Sequence, residues 1–133
     1  MSFGTNSSVG HAFIDVQTLS SNIAVMGCRF DLNGTSAPSG LSGQGFKAVS
    51  RLAQGKYRAT LNEPWFGCVA FGVTLEITLA DGRRAMINTV TARGAAPAVD
   101  VCVVDQAGAY QDVATEDGGI IDVILYMYKG APN

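Results

Sequence analysis

The residue types that could do chemistry are few and scattered in this chain. His11 is its single histidine, and no G-x-S-x-G elbow supplies a nucleophile for it to activate. The three cysteines, Cys28, Cys68 and Cys102, lie far apart within apolar runs. Such cysteines are typical of buried thiols and supply neither a disulfide framework nor the ligand spacing of a zinc site. We therefore expect no catalytic residue, no metal ion and no cofactor.

The carboxylates leave one alternative open. Several lie late in the sequence, at Asp100, Asp105, Asp112, Glu116 and Asp117. Loop carboxylates can bind calcium, but no EF-hand loop is present, so we expect these residues to form turns and solvated surface. A glycosidase needs two facing carboxylates, and nothing in the sequence singles out such a pair.

The basic residues form the one local charge feature. Four of the nine Lys and Arg residues lie close together, at Lys47, Arg51, Lys56 and Arg58. They could be a solvated sheet face or the docking site of an acidic partner protein. Trp65 is a further candidate contact, because binding interfaces favour tryptophan. These five residues are the protein interface that the sequence predicts.

Composition limits the classes of partner. The chain has 133 residues, enough for one domain, and only 15% are charged against about 25% in typical soluble domains. So little charge indicates that other subunits cover part of the surface. The net charge of -2 disfavours nucleic acid and anionic membranes as partners. We find no signal peptide and no apolar run of the ~18 residues that a membrane helix needs.

The elements that carry these residues read as β-strands. Between Gly45 and Leu61 apolar residues recur at every second position, which is typical of a half-buried antiparallel hairpin. A four-residue loop, Leu52–Gly55, would pair Ser50 with Tyr57 and Phe46 with Leu61. The four basic residues of the hairpin then share its outer face.

Similar short segments continue along the chain. Strands are predicted at His11–Gln17, Ile23–Phe30, Gly67–Leu79, Arg84–Arg93, Val99–Val104, Tyr110–Ala114 and Ile120–Tyr128. Ile23–Phe30 is nearly all apolar and predicts a strand covered on both faces, whereas Thr35–Gly45 predicts a loop. Asp81-Gly82 predicts a tight turn that pairs Arg84–Arg93 with the strand before it.

With eight or nine strands, the chain is predicted to be all-β. It would fold as one antiparallel β-sandwich, jelly-roll-like, over residues 11–133, with residues 1–10 as a flexible N-terminal arm. Ala85, Ile87 and Thr89 would face the core from one strand. Ile121, Val123, Leu125 and Met127 would do so from the last strand.

One stretch of the hairpin resembles small virion structural proteins of tailed bacteriophages. The matching residues are Val49-Ser50-Arg51, Gly55-Lys56-Tyr57 and Thr60-Leu61, followed by the break at Glu63-Pro64. The strand Ile121–Tyr128 also resembles the apolar C-terminal strand of those proteins. Arg58 and Ala59 stand where that family has apolar residues, so the sequence leaves open whether this face meets solvent or a subunit.

This resemblance implies a non-enzymatic protein of the virion, assembled in the host cytoplasm. We expect a cement or decoration protein that binds the major capsid protein outside the shell and bridges capsomers, as a dimer or trimer. A tail-fibre or spike module that binds a host-surface receptor or glycan is the alternative. A small enzyme or a carbohydrate-binding module is the third class.

Overall fold

The structure is a computed structural model and describes residues 22–78 and 81–129. The predicted N-terminal arm and the predicted strand His11–Gln17 lie outside these residues. Eight strands are present in the described part of the chain: β1 (Ile23–Asn33), β2 (Ser36–Gln44), β3 (Phe46–Ala53), β4 (Lys56–Leu61), β5 (Gly67–Glu76), β6 (Arg84–Thr91), β7 (Ala98–Val104) and β8 (Ile120–Tyr128). A single-turn 3-10 helix, Thr115–Asp117, precedes β8.

The strands form two antiparallel sheets of four, and the predicted β-sandwich is confirmed. The first sheet has the order β2-β1-β8-β5 and the second has the order β3-β4-β7-β6. Hairpins join β1 to β2, β3 to β4, and β6 to β7. The other connections cross from one sheet to the other, so each sheet combines strands that are distant in sequence.

The core lies between the two sheets and follows the period-two pattern of the strands. The central strands β1, β4 and β8 bury every second side chain, whereas the central strand β7 buries all but Asp100. The largest of these side chains are Phe30 and Leu32 in β1, Tyr57 and Leu61 in β4, and Ile121, Leu125 and Met127 in β8. The rings of Phe30 and Tyr57 meet across the interlayer space with their centroids 6.4 Å apart. The predicted inner face of the last strand is therefore confirmed.

The predicted hairpin forms as β3 and β4, but most of its predicted register is wrong. Phe46 does pair with Leu61, whereas Ser50 pairs with Arg58 and Arg51 with Tyr57. The turn is two residues long, Gln54-Gly55, because Gly55 adopts a left-handed conformation with φ of 67°. Register shifts beside Lys47 and Leu52 absorb the extra residues, and Arg51 moves to the inner face.

The segment predicted as a loop, Thr35–Gly45, contains the edge strand β2. Its Ser, Gly and Pro residues hide the strand from a pattern-based prediction. An edge strand tolerates Pro38, since one side of its backbone needs no partner. Gly40 and Gly43 have positive φ, and the pairing with β1 contains two register shifts.

Three further predictions are wrong within the described residues. β1 is covered on one face only, since Val25 is 57% exposed. The segment Tyr110–Ala114 makes one isolated bridge, from Tyr110 to Val104, and is otherwise irregular. In β6 a bulge after Ile87 puts Val90 opposite Val99 on the inner face, so Thr89 lies opposite Asp100 on the outer face.

The predicted pairing of the strands on either side of Asp81-Gly82 is also wrong. β5 pairs with β8 in the first sheet, and β6 pairs with β7 in the second. β5 and β6 therefore lie in different layers.

We expect Phe30→Ala to lower the free energy of unfolding by about 3–5 kcal/mol, because it leaves a cavity between the sheets. Denaturant titration measures this value. Leu52→Ala is the control, since Leu52 is 46% exposed in a bulge. An equal loss in both variants would contradict the assigned core.

Candidate interaction surface

The structure separates the four basic residues that the sequence grouped on one face. Arg51 lies at the inner edge of β3, where its Nη2 and Nε contact the Asp112 carboxylate at 2.7 and 3.1 Å. Its side chain is only 23% exposed. The prediction that Arg51 lies on the outer face is wrong, because the register shift at Leu52 places Arg51 opposite the inward-facing Tyr57.

Of the other basic residues, Lys56 and Arg58 lie on the outer face of the second sheet. Arg58 forms a two-pronged ion pair with Asp100, at 2.7 and 2.9 Å. The Lys56 ammonium lies 4.4 Å from the centre of the Tyr110 ring. Lys47 is exposed at the bulge of β3. Since Asp100 neutralises Arg58, this face attracts acidic partners less than the sequence suggests.

Trp65 precedes β5 and is partly buried against the core. Its backbone N–H donates to the Ala92 carbonyl at 2.7 Å, which links the β4–β5 connection to the end of β6. This placement gives Trp65 a packing role. Its part in an interface stays a prediction.

Asp112 joins the hairpin turn to the irregular segment before β8. Its carboxylate accepts hydrogen bonds from Arg51, from the Gly55 N–H at 2.9 Å and from the Tyr57 hydroxyl at 3.4 Å. Burial by itself raises the pKa of Asp112, but the hydrogen bonds, led by that of Arg51, outweigh it and lower the pKa. Asp112 therefore stabilises the fold in its ionised form.

We expect Arg51→Ser to destabilise the protein more than Arg58→Ser. The first substitution leaves the half-buried Asp112 without its cation, whereas the second breaks an exposed pair. The midpoints of urea unfolding at neutral pH measure both effects. Equal midpoints for the two variants would contradict the structural role of Arg51.

We also expect an acid-dependent loss of stability that depends on Asp112. Because the folded-state pKa lies below the unfolded value of ~3.9, the carboxylate stabilises the fold above that pH. The stabilisation disappears as the pH falls through the folded-state pKa. Urea midpoints measured from pH 7 to pH 2.5 should show Asp112→Asn below the wild type at pH 7, with the gap closing in acid. A gap independent of pH would overturn this assignment.

The thiols are poorly suited to nucleophilic chemistry. Burial, helped by the Asp122 charge, raises the pKa of Cys28 to about 12. Burial also raises the pKa of Cys68 and of Cys102. Within residues 22–78 and 81–129, no group of three or more His, Cys, Asp or Glu could hold a metal ion. The same residues contain no helix with the length and apolar character of a membrane span.

The outer face of the first sheet has an apolar groove that sequence reasoning missed. Its volume is about 630 Å³, and it runs across β2, β1, β8 and β5. Gly27 and Gly72 flank Ile124 in one row of the sheet, and the Ile124 side chain lies over Gly72, where a Cβ would be 3.3 Å from its Cγ2. Val25 and Ile124 are 57% and 41% exposed. The solvated face of an antiparallel sheet usually carries polar residues at such positions.

Charged residues border this groove and neutralise one another. Arg29 binds Asp122 at 2.9 Å and Glu76 at 3.0 Å. The bottom of the groove is therefore apolar, and the charged residues beside it are paired with one another. Ile124 and Tyr126, on the second face of the last strand, were the signal in the sequence. These two residues indicate an apolar groove only when it is known that β1 and β5 flank β8.

Comparison with protein-family models, with curated proteins and with solved structures finds no match.

Proposed function

We propose that this protein is a non-enzymatic virion structural protein that binds the outside of a capsid as a cement or decoration protein. The apolar groove on the first sheet is the observation that carries the proposal. We propose the major capsid protein as its occupant, inserting an apolar segment between the rims of the groove. The resemblance of the hairpin to phage structural proteins supports this choice of partner.

The charge distribution fits a partner without strong net charge. Arg29 is compensated by Asp122 and Glu76, and Arg58 is compensated by Asp100. An apolar segment can therefore be buried in the groove without leaving an unpaired charge beside it. Lys47 and Lys56 remain candidates for a second contact on the other sheet.

The mechanism of such a protein is mechanical. Each copy bridges neighbouring capsomers and adds contacts that must break before the shell opens. A single contact of this size is modest, but many identical contacts on one particle act together. The antiparallel sandwich suits this task because its core holds the contact residues in place.

A tail-fibre or spike module that binds a glycan is the second candidate. Tyr126 pairs with Val25 at one end of the groove and is 38% exposed. Ser42, Gln44 and Asp122 line the polar parts of the same groove. An aromatic ring beside hydrogen-bonding groups is suited to a sugar ring. Several hundred copies per particle would favour cement, whereas a few copies at the tail would favour the spike.

The deciding experiment is co-sedimentation of the purified chain with empty shells that lack it. We expect the wild type to sediment with the shells and Ile124→Asn to lose most of this binding, because a polar side chain would be buried in the groove. Failure of the wild type to bind shells would overturn the cement proposal.

Met86→Asn is the matched control. Met86 and Ile124 are both 41% exposed, but Met86 lies opposite Cys102 on the outer face of the second sheet, near Lys56. Wild-type binding by Met86→Asn would locate the contact on the first sheet. Loss of binding in Met86→Asn alone would locate it on the face with the basic residues and contradict the role of the groove.

A further inference from the structure

The edge of the sandwich formed by β5 and β6 carries an unusual amount of exposed apolar surface. Phe71 and Val69 in β5 are 57% and 56% exposed, and Phe66 just before β5 is 47% exposed. β5 is the outermost strand of its sheet, and among the described residues no strand pairs with its free side. Its backbone groups on that side can therefore accept another strand.

Phe71 is exposed although it lies on the inner face of its sheet. It pairs with Leu125, which is fully buried. On the opposite sheet Ile87 and Val90 also face inward. Together with Phe66, these residues line an open cleft of about 680 Å³ between β5 and β6. The core is thus open to solvent along this edge.

β5 has few of the features that keep edge strands apart. Its sequence, GCVAFGVTLE, contains no Lys or Pro, and its one charged residue is Glu76 at the very end. Its single irregularity is a register shift between Cys68 and Ala70. An uncharged middle lets two copies of the same strand meet without like-charge repulsion.

We propose that β5 pairs with β5 of a second copy of this chain, antiparallel and about Phe71, to form a two-fold symmetric dimer. In this arrangement each Phe71 covers the open cleft of the other copy. The two first sheets join into one continuous sheet, which satisfies the backbone groups of both edges.

The charges at the two ends of β5 are complementary. Pairing about Phe71 brings Glu76 of one copy beside Phe66 of the other. There the Arg93 guanidinium lies 4.3 Å from the centre of the Phe66 ring, and its Nε donates to the Phe66 carbonyl at 2.6 Å. Two-fold symmetry repeats this proximity of opposite charges at both ends of the strand pair.

The available area is sufficient for a specific dimer. Ten residues at ~3.3 Å each make the edge roughly 33 Å long, and two layers ~10 Å apart with their side chains make it roughly 20 Å wide. Each copy thus contributes roughly 650 Å². The total of roughly 1,300 Å² lies within the range of about 1,200–2,000 Å² found for stable interfaces.

Sedimentation velocity on the full chain at micromolar concentration tests this dimer. We expect the wild type to be dimeric and Phe71→Lys to be monomeric, because two lysines would face each other at the symmetry axis. Val25→Lys is the matched control, since Val25 is also 57% exposed but lies on the outer face of the first sheet. It should stay dimeric. A monomeric or trimeric wild type, or a Phe71→Lys variant that stays dimeric, would overturn the proposal.

A second variant keeps the test decisive if Phe71→Lys does not fold. Phe71→Cys should be crosslinked between two copies by a short bifunctional thiol reagent, since residues opposite each other in antiparallel strands have Cβ atoms about 4.5–5.5 Å apart. Val25→Cys should remain uncrosslinked. Absence of the crosslink in Phe71→Cys would contradict pairing about this residue. Neither measurement uses capsid shells, so this proposal and the cement function fail or succeed separately.

Discussion

The contact between the inner faces of the two sheets is the constraint on which the rest of the structure depends. Phe30 and Tyr57 come from strands in opposite sheets, and both are fully buried. Neither sheet could bury its apolar side chains alone. The alternation of apolar and polar side chains along each strand therefore stabilises the fold only when the other sheet covers the apolar face. The same contact fixes which residues face outward, and therefore which surfaces are open to partners.

Internal ion pairs satisfy several polar groups at the rim of this core. Asp112 accepts from Arg51 and from the Tyr57 hydroxyl, so the buried tyrosine does not leave its polar atom unpaired. On the outer faces Arg29 and Arg58 also pair with carboxylates of neighbouring strands. Because these cations are compensated, they add little net charge to the surfaces on which they lie.

Two apolar surfaces stand out in the part of the chain that the structure describes, and they differ in kind. The groove around Ile124 is a sheet face, where backbone groups are already paired and only side chains can be contacted. The edge at Phe71 offers unpaired backbone groups as well, which suits another β-strand. One small domain could then make two kinds of contact at once. The sheet face would bind a capsid, and the strand edge would bind a second copy of the chain.

The sequence by itself determined most of the strands and the inner face of the last one. Period-two runs such as Ile121 to Met127 depend on local side-chain alternation, which is readable without a partner. It did not reveal β2, because Pro38 and the glycines of an edge strand look like a loop. Only the tertiary structure decided that β5 pairs with β8 and not with β6, and that Arg51 turns inward to Asp112. It alone brought Gly27, Gly72 and Ile124 into one groove. Strand pairing depends on the total apolar area buried between the two sheets. The sequence of one strand shows its own apolar residues but not the residues of the strand that will cover them.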